Sequence, residues 1–389
     1  MSDVLANLFD DFDRGNLTRR RLLQVLGIAV VVRPVSAFAF GQGSCGGARA
    51  GTPECDTTPA KLPFEPTGWT TVLLDHFSLQ CANYQREAAY YATLMNWKVR
   101  SDDGTKAVLD IGDDVGGLII RGGYQAPAPV PQAPPADPSA PVTGRGAPRA
   151  PRLAVWDSFC WGIEPWDAKN VEAELRKRGL DPIADNVGKD FQSFHVKDPQ
   201  GFDLQISNGN KKNRRQGPAN GKLPAPAPFE PTAWKTVWLD HISFQSGNYK
   251  ESVAFYNALL GWKPGIDEGS QNECQIGDIG NVIIRRGGGG GRAGGAAAGG
   301  AGVDATGGRG GQAAPPVRRA SIDHIAFGIA PWDEDQVKAE LDKRGLTGRA
   351  DTGGKGDIHV APYKSYHTTT PDGFDLQISN ATRATRNGG

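Results

Sequence analysis

The residues best suited to chemistry in this sequence are histidines that recur in matching motifs. Five of the six histidines lie in such motifs: His76, His195, His241, His324 and His367. Neutral imidazole binds divalent first-row metal ions and also moves protons near neutral pH. His241 in LDHISF and His324 in IDHIAFGI occupy two apolar segments of the second half of the chain. Two imidazoles on neighbouring strands would be enough to begin a metal site.

Other polar residues could complete such a site. Gln377 and Asp375 in GFDLQIS are two positions apart, so on a β-strand both side chains lie on one face. Gln377 offers a neutral amide oxygen, and Asp375 could act as a ligand or a general base. His367 has two possible roles, as an acid/base group or extra ligand, or as a hydrogen-bonded structural histidine. Arg285 ends an apolar segment and is suited to a substrate carboxylate or phosphate.

The first half of the chain carries a weaker copy of this set. Aligning VWDSFCWGIEPWD with SIDHIAFGIAPWD places Ser158 opposite His324, while His76 and Gln205 match His241 and Gln377. A single imidazole with a serine and an amide is too few strong ligands for tight binding. The sequence therefore predicts a degenerate N-terminal site and at most one ion, held by the second half.

An internal duplication positions these residues. FEPTGWTTVLLDHFSLQ at 64–80 recurs as FEPTAWKTVWLDHISFQ at 229–245, and GFDLQISN occurs at both 201–208 and 373–380. Within each repeat, apolar periodicity predicts a strand, a helix and further strands, and the order then occurs again. In the first repeat these are strands at 71–80, 107–111 and 118–121 with a helix at 83–97, then a strand at 154–163, a helix capped by Asp167 and strands at 193–196 and 202–206. The prediction is an α+β fold of four βαβββ modules.

Four such modules, with LDH in a first strand and a PxGxxxQ ending in a last strand, resemble the vicinal oxygen chelate superfamily of glyoxalases, bleomycin-resistance proteins and extradiol dioxygenases. The resemblance implies that modules pair and that each pair of sheets curls into a cup. It also implies a divalent first-row metal (Fe, Mn, Ni, Co or Zn) on His241, His324 and Gln377. Glutamine stands where the family usually has a carboxylate, which removes one negative charge from the ligand set.

Two functions follow from the resemblance. The first is a metal-dependent lyase, isomerase or dioxygenase-type enzyme that acts on a small oxygenated substrate in the C-terminal cup, with Asp375 or His367 moving the proton. The alternative is a binding protein of the bleomycin-resistance type, which holds a small molecule without chemistry and in which the N-terminal repeat is structural. In either case the chain could be a monomer that acts as an internal pseudo-dimer.

The predicted domains are an N-terminal glyoxalase-like domain at 62–208, a linker at 209–228 and a C-terminal glyoxalase-like domain at 229–380. A proline-rich insertion at 125–151 and a glycine-rich insertion at 287–313 interrupt the two domains. We expect the basic cluster Lys211–Arg215 to be a solvated hinge. We also expect few contacts between the two domains and separate folding of each.

Residues 1–39 resemble a twin-arginine export signal. Arg19–Arg21 precede an apolar run at 22–32, and Ala37–Ala39 supplies a small-residue cleavage pattern. The expected location is therefore periplasmic or extracellular, where Cys45 and Cys55 could pair, although spacing alone leaves this open. Equal numbers of basic and acidic residues, 43 each, argue against nucleic-acid binding, and the apolar run is too short for a stable membrane span.

Overall fold

The computed structural model describes residues 57–125, 153–186, 190–215, 217–287, 320–351 and 363–387. The first repeat contains β1 (Thr70–Cys81), α1 (Tyr84–Leu94), β2 (Lys98–Asp102), β3 (Lys106–Ile111), β4 (Gly116–Arg121), β5 (Ala154–Glu164), α2 (Ala168–Lys177), β6 (Ile183–Ala184), β7 (Ser193–Lys197) and β8 (Asp203–Ser207). The second contains β9 (Lys235–Ser246), α3 (Tyr249–Leu260), β10 (Lys263–Asp267), β11 (Gln271–Ile276), β12 (Gly280–Arg286), β13 (Ala320–Ala330), α4 (Glu334–Lys343), β14 (Arg349–Asp351), β15 (Ser365–Thr369) and β16 (Asp375–Ser379). A short helix, α5 (Arg383–Asn387), follows.

Each repeat forms one eight-stranded sheet made of two βαβββ modules. The strand orders are β2-β3-β4-β1-β5-β8-β7-β6 and β10-β11-β12-β9-β13-β16-β15-β14. The first strands of the two modules pair antiparallel at the centre, and each last strand runs parallel to its own first strand. The predicted α+β fold of four modules is confirmed.

Local sequence accounts for most of the element boundaries. Asn83 and Asp167 cap α1 and α2 by accepting hydrogen bonds from the backbone N–H three residues later. Gly179, with φ of 75°, follows the end of α2 in the left-handed conformation that favours glycine. The apolar pattern does not mark the edge strands β2 and β6, because they are short and mostly exposed and lack a buried apolar stripe.

The two sheets pack on each other through the faces that carry the helices. The centroid of the Phe244 ring on β9 lies 5.0 Å from that of Phe202 and 6.0 Å from that of Phe159, both in the first repeat. Trp161 and Trp262 meet edge to face at 5.4 Å, and one buried apolar cluster includes residues from both sheets. The expectation of few contacts between the repeats is wrong, because neither sheet covers its helix-bearing face by itself.

Matching hydrogen bonds cross this shared core in both directions. Trp97, after α1, donates its indole N–H to Thr236 Oγ1 at 2.8 Å, and Trp262, after α3, donates to Thr71 Oγ1 at 3.0 Å. Tyr256 on α3 donates to Asp198 at 3.0 Å. Burial makes each bond costly to break, since the freed partners would have no water to bind. The internal symmetry of the sequence is therefore also a symmetry of packing.

The basic cluster Lys211–Arg215 does not form a wholly solvated hinge. Arg214 forms an ion pair with the buried carboxylate of Asp75, and the side chain of Arg215 is only 14% exposed. Lys211 and Lys212 are exposed as expected. The composition of this segment predicts exposed cations. Which of them is buried depends on the carboxylate of Asp75 on β1, which the segment itself does not contain.

Several predictions concern segments outside the described residues. They include the export signal at 1–39, the Cys45–Cys55 pairing, and nearly all of the two insertions at 125–151 and 287–313. In the part of the chain that the structure describes, the helices are all too short or too polar to cross a membrane. Cys81, Cys160 and Cys274 are buried free thiols.

Candidate functional site

The two central strands of the second sheet bring His241 and His324 together. On β9, His241 pairs with Ala326 of β13, and Ser243, two residues later, pairs with His324. The two imidazoles therefore lie on the same face of the sheet, in neighbouring cross-strand pairs. Their Nε2 atoms are 3.2 Å apart, and the two residues are only 3% and 7% exposed. We call the sheet face defined by His241, His324 and Gln377 the C-terminal cup.

Each imidazole has a carboxylate beside its other nitrogen. His324 Nδ1 lies 3.1 Å from Asp323 Oδ2, and His241 Nδ1 lies 3.4 Å from Asp240 Oδ1. A histidine that donates Nδ1–H to a carboxylate keeps a lone pair on Nε2, and this arrangement is typical of metal-binding histidines. If both rings adopt that tautomer, two lone pairs face each other at 3.2 Å, and a cation between them would relieve the repulsion.

Gln377 supplies an oxygen to the same face. It lies opposite Ala326, which in turn lies opposite His241, and it is only 2% exposed. Its side-chain nitrogen donates to Tyr363 Oη at 3.0 Å and Ser365 Oγ at 2.8 Å. Its Oε1 atom is buried and has no hydrogen-bond partner among the residues that the structure describes. A buried polar atom without a partner is costly, which suits a ligand position.

These donors fit a first-row divalent ion. Two nitrogens bound to one ion at about 2.0–2.1 Å stand roughly 2.9–3.4 Å apart for bond angles between octahedral and tetrahedral. The observed Nε2 separation of 3.2 Å lies in that range. Two imidazoles and one amide oxygen are borderline donors that accept Fe, Mn, Ni, Co or Zn rather than selecting one of them.

His367 and Asp375 form a second polar group beside His324. The His367 ring packs edge to face on His324 with centroids 5.2 Å apart. His367 Nδ1 lies 3.2 Å from Asp375 Oδ2, and Asp375 also accepts a hydrogen bond from Arg349 at 2.6 Å. Burial acts to lower the pKa of His367, but Asp375 and Asp351 outweigh it and raise the pKa above the usual value. The pKa of Asp375 is lowered because its bonds to His367 and the charge of Arg349 outweigh burial.

Arg285 lies on the same face but farther along β12. It stands opposite Gln245, whereas Asn281 of the same strand stands opposite His241. Four residues of strand separate these positions, or about 13 Å along the sheet. Ser243, opposite His324, is only two residues from Gln245, or about 7 Å. Arg285 is thus placed for the far end of a molecule bound at the histidines.

The counterparts in the first repeat occupy the same strand positions, but His324 is replaced there by Ser158. His76 lies opposite Cys160, and its Nδ1 atom is 2.7 Å from Asp75 Oδ1. Ser158 lies opposite Ser78 and Asp203, so no second imidazole reaches His76 from its position. Gln205 donates to Ser193 Oγ at 2.8 Å, as Gln377 does to Ser365.

Asp75, His76 and Cys160 place potential ligand atoms within 4.8 Å of one another. Arg214 already forms two hydrogen bonds with the Asp75 carboxylate. Burial tends to raise the Asp75 pKa, but His76 and Arg214 hold it well below its usual value. Burial raises the pKa of the Cys160 thiol well above the usual range, so the metal-binding thiolate is disfavoured.

Sequence reasoning missed the residues that support the histidines. Asp240 and Asp323 immediately precede His241 and His324, and the repeated Asp-His pair was a signal that could have identified them. Tyr363, which donates to Asp240 at 2.8 Å and accepts from Gln377, had no such signal. Its role depends on a contact between distant segments.

No protein-family pattern matches this sequence, and no relative was found among curated proteins. Solved structures do match. The Mn(II)-bound glyoxalase from Novosphingobium aromaticivorans aligns with a TM-score of 0.51 at 13% identity, over 80% of this chain and 82% of the other. The chain has the vicinal oxygen chelate fold. Members with this fold also include the 2,3-dioxygenase LapB from Pseudomonas sp. KL28, with a TM-score of 0.50 at 13% identity over 80% and 92% of the two chains.

A third similar structure is homoprotocatechuate 2,3-dioxygenase from Brevibacterium fuscum in complex with 3,4-dihydroxyphenylacetate. It aligns with a TM-score of 0.50 at 14% identity, over 84% of each chain. At these identities the likeness establishes the fold, whereas reaction and substrate depend on the residues in the cup.

Proposed function

We propose that this protein is a metal-dependent enzyme of the vicinal oxygen chelate type, acting on a small oxygenated substrate in the C-terminal cup. The observation that carries the proposal is the 3.2 Å separation of the buried Nε2 atoms of His241 and His324. Both Nδ1 atoms face carboxylates, so the two inward nitrogens are set to receive a cation. Gln377 Oε1, buried with no hydrogen-bond partner in the described part of the chain, would be the third ligand.

The residues around the histidines have distinct roles in this proposal. The bound ion would polarise the oxygen atoms of a substrate, which is the usual chemistry of such centres. His367, beside His324, would give or take the proton, and Asp375 would hold the His367 ring by its Nδ1 atom. Arg285 would bind an anionic group at the far end of the substrate.

Similarity to a Mn(II)-bound glyoxalase and to dioxygenases supports a lyase, isomerase or dioxygenase reaction. With an amide in place of a carboxylate, the ion and its three ligands together carry one more positive charge than a two-histidine, one-carboxylate centre. Gln377 also favours the alternative, a binding protein without catalysis, because an amide binds a hard cation with lower affinity than a carboxylate does.

Metal content tests the proposal. Full-length protein produced with added Mn, Fe, Ni, Co or Zn should retain about one ion per chain after removal of loose metal. His241→Ala and His324→Ala should each empty the site. His76→Ala is the matched control in the first repeat and should leave the metal content unchanged.

The outcomes separate the alternatives. Two ions per chain, or loss of the ion in His76→Ala, would show that the first repeat binds metal and contradict the assignment. Protein that folds but holds no ion, and still binds a small molecule, would favour the non-catalytic alternative. Turnover of a small oxygenated substrate that disappears in His324→Ala and is reduced in His367→Gln would support the enzyme.

A further inference from the structure

The first repeat contains a cavity on the sheet face opposite the shared core. It encloses about 330 Å³ and is lined by residues of β1 to β4 and of the segment after β8: Asp75, His76, Arg100, Val108, Asp110, Gly117, Ile119, Asn213, Arg214 and Arg215. We call this cavity the N-terminal cup. Its volume is at the lower end of the range for small-molecule sites.

Three guanidinium groups line the N-terminal cup, but only two carboxylates do. Arg214 is paired with Asp75 through two hydrogen bonds, and Arg100 donates to both carboxylate oxygens of Asp110. Those two cations are fully compensated. Arg215 is the third, and among the described residues its side chain has one ion-pair contact, 3.8 Å from Nε to Asp110 Oδ1.

Arg215 is nevertheless held firmly in place. Its side chain is only 14% exposed, and its backbone carbonyl accepts a hydrogen bond from Arg100 at 3.3 Å. Its guanidinium lies so close to Gly117 that a Cβ there would stand 2.5 Å from Nη2. Burial lowers the pKa of Arg215. A largely buried guanidinium whose one ion-pair contact among the described residues is 3.8 Å long is an expensive arrangement that a bound anion would stabilise.

Three residues of this arrangement are replaced in the second repeat. Gly117 corresponds to Asn281, Arg100 to Gly265, and Asp110 to Gln275 in the matching strands. The two repeats share most of their motifs, so these three replacements are what make the two cups differ in charge and in available space. Among the described residues that line the N-terminal cup, His76 is the one histidine.

We propose that the N-terminal cup is a binding site for a small organic anion, whose carboxylate or phosphate group pairs with Arg215. The apolar side chains of Val108 and Ile119 would contact the body of the ligand. Arginine suits this role because its planar donors match the oxygens of carboxylate and phosphate. The site is separate from the metal centre proposed for the C-terminal cup, and it needs no metal.

Calorimetric titration of the full-length, metal-free protein tests this site. The probes are benzoate, inorganic phosphate and neutral benzyl alcohol. We expect binding of at least one of the two anions and none of benzyl alcohol. Arg215→Gln should weaken anion binding by about ten- to hundredfold, the range for loss of a charge-assisted hydrogen bond. Lys212→Gln, an exposed cation three residues away, is the matched control and should bind as the wild type does.

A second variant keeps the test decisive if Arg215→Gln does not fold. Ile119→Phe narrows the cavity with every charge retained, so it should weaken benzoate more than phosphate. Binding of benzoate alone identifies an organic carboxylate as the ligand, and binding of phosphate alone identifies a phosphate. No binding of either anion at millimolar concentration overturns the proposal. Unchanged affinity for the bound anion in Arg215→Gln, or, where benzoate binds, unchanged benzoate affinity in Ile119→Phe, also overturns it, because the anion would then lie elsewhere.

Discussion

Replacing Phe244 by alanine should destabilise both repeats together. The side chain is fully buried, and its ring contacts Phe159 and Phe202 of the first sheet as well as Tyr256 of its own repeat. Removing a buried phenylalanine ring costs about 3–5 kcal/mol. Because folded domains are stable by only about 5–15 kcal/mol, this is a large share of the total.

Urea unfolding followed by tryptophan fluorescence and circular dichroism measures this effect. Since the ring packs in a core shared by both sheets, we expect one transition in the wild type and one, at lower urea, in Phe244→Ala. Val237→Ala on the same strand is the control, because Val237 is 38% exposed and its loss should change stability by about 0.5 kcal/mol or less. Two transitions, with only one shifted by the variant, would refute the shared core.

Three further predictions concern single residues. Burial raises the pKa of the Glu87 carboxyl to about 8. Its contribution to stability is therefore present below the unfolded pKa of about 4.3 and is lost as the pH rises through 8. Glu87→Gln should flatten this decline in stability, and urea-stability profiles of wild type and variant that run parallel from pH 4 to pH 8 would contradict the prediction. Gln377→Glu should increase affinity for a divalent ion by at least about tenfold in a competition titration, since it restores a negative ligand, and equal or weaker affinity would exclude Gln377 as a ligand. Asn83→Ala should cost about 1 kcal/mol in thermal unfolding by removing the α1 cap, and a change near zero would show that the cap is dispensable.

The repeats and local patterns of the sequence were enough to predict the four modules and to select the candidate residues. The 64–80 and 229–245 repeats, with apolar alternation on either side of helix patterns, were sufficient for four βαβββ units. The capping role of Asp167 was also local, because an N-cap depends on residues within one turn. His241 and His324 could be selected because both stand in first-strand motifs, where the resemblance to the vicinal oxygen chelate superfamily implies metal ligands.

Tertiary structure decided how the repeats meet. Phe159 and Phe244 are apolar residues of similar strands, and nothing in either segment specifies that the two rings pack on each other. The apolar pattern marks a face to be covered, but it does not say which partner covers it. The same pattern suits two separate domains or one shared core, and only the packing of the two sheets distinguishes them.

Tertiary structure also decided what the two cups contain. Arg214 and Arg215 belong to a polar segment whose composition predicts solvent exposure. Arg214 nevertheless pairs with the buried Asp75, and the absence of a side chain at Gly117 leaves room for Arg215 against the sheet. Tyr363 joins Asp240 to Gln377 across long stretches of chain. Sequence patterns record which face of a strand a residue occupies, whereas charge pairing and available space depend on segments brought together only by folding.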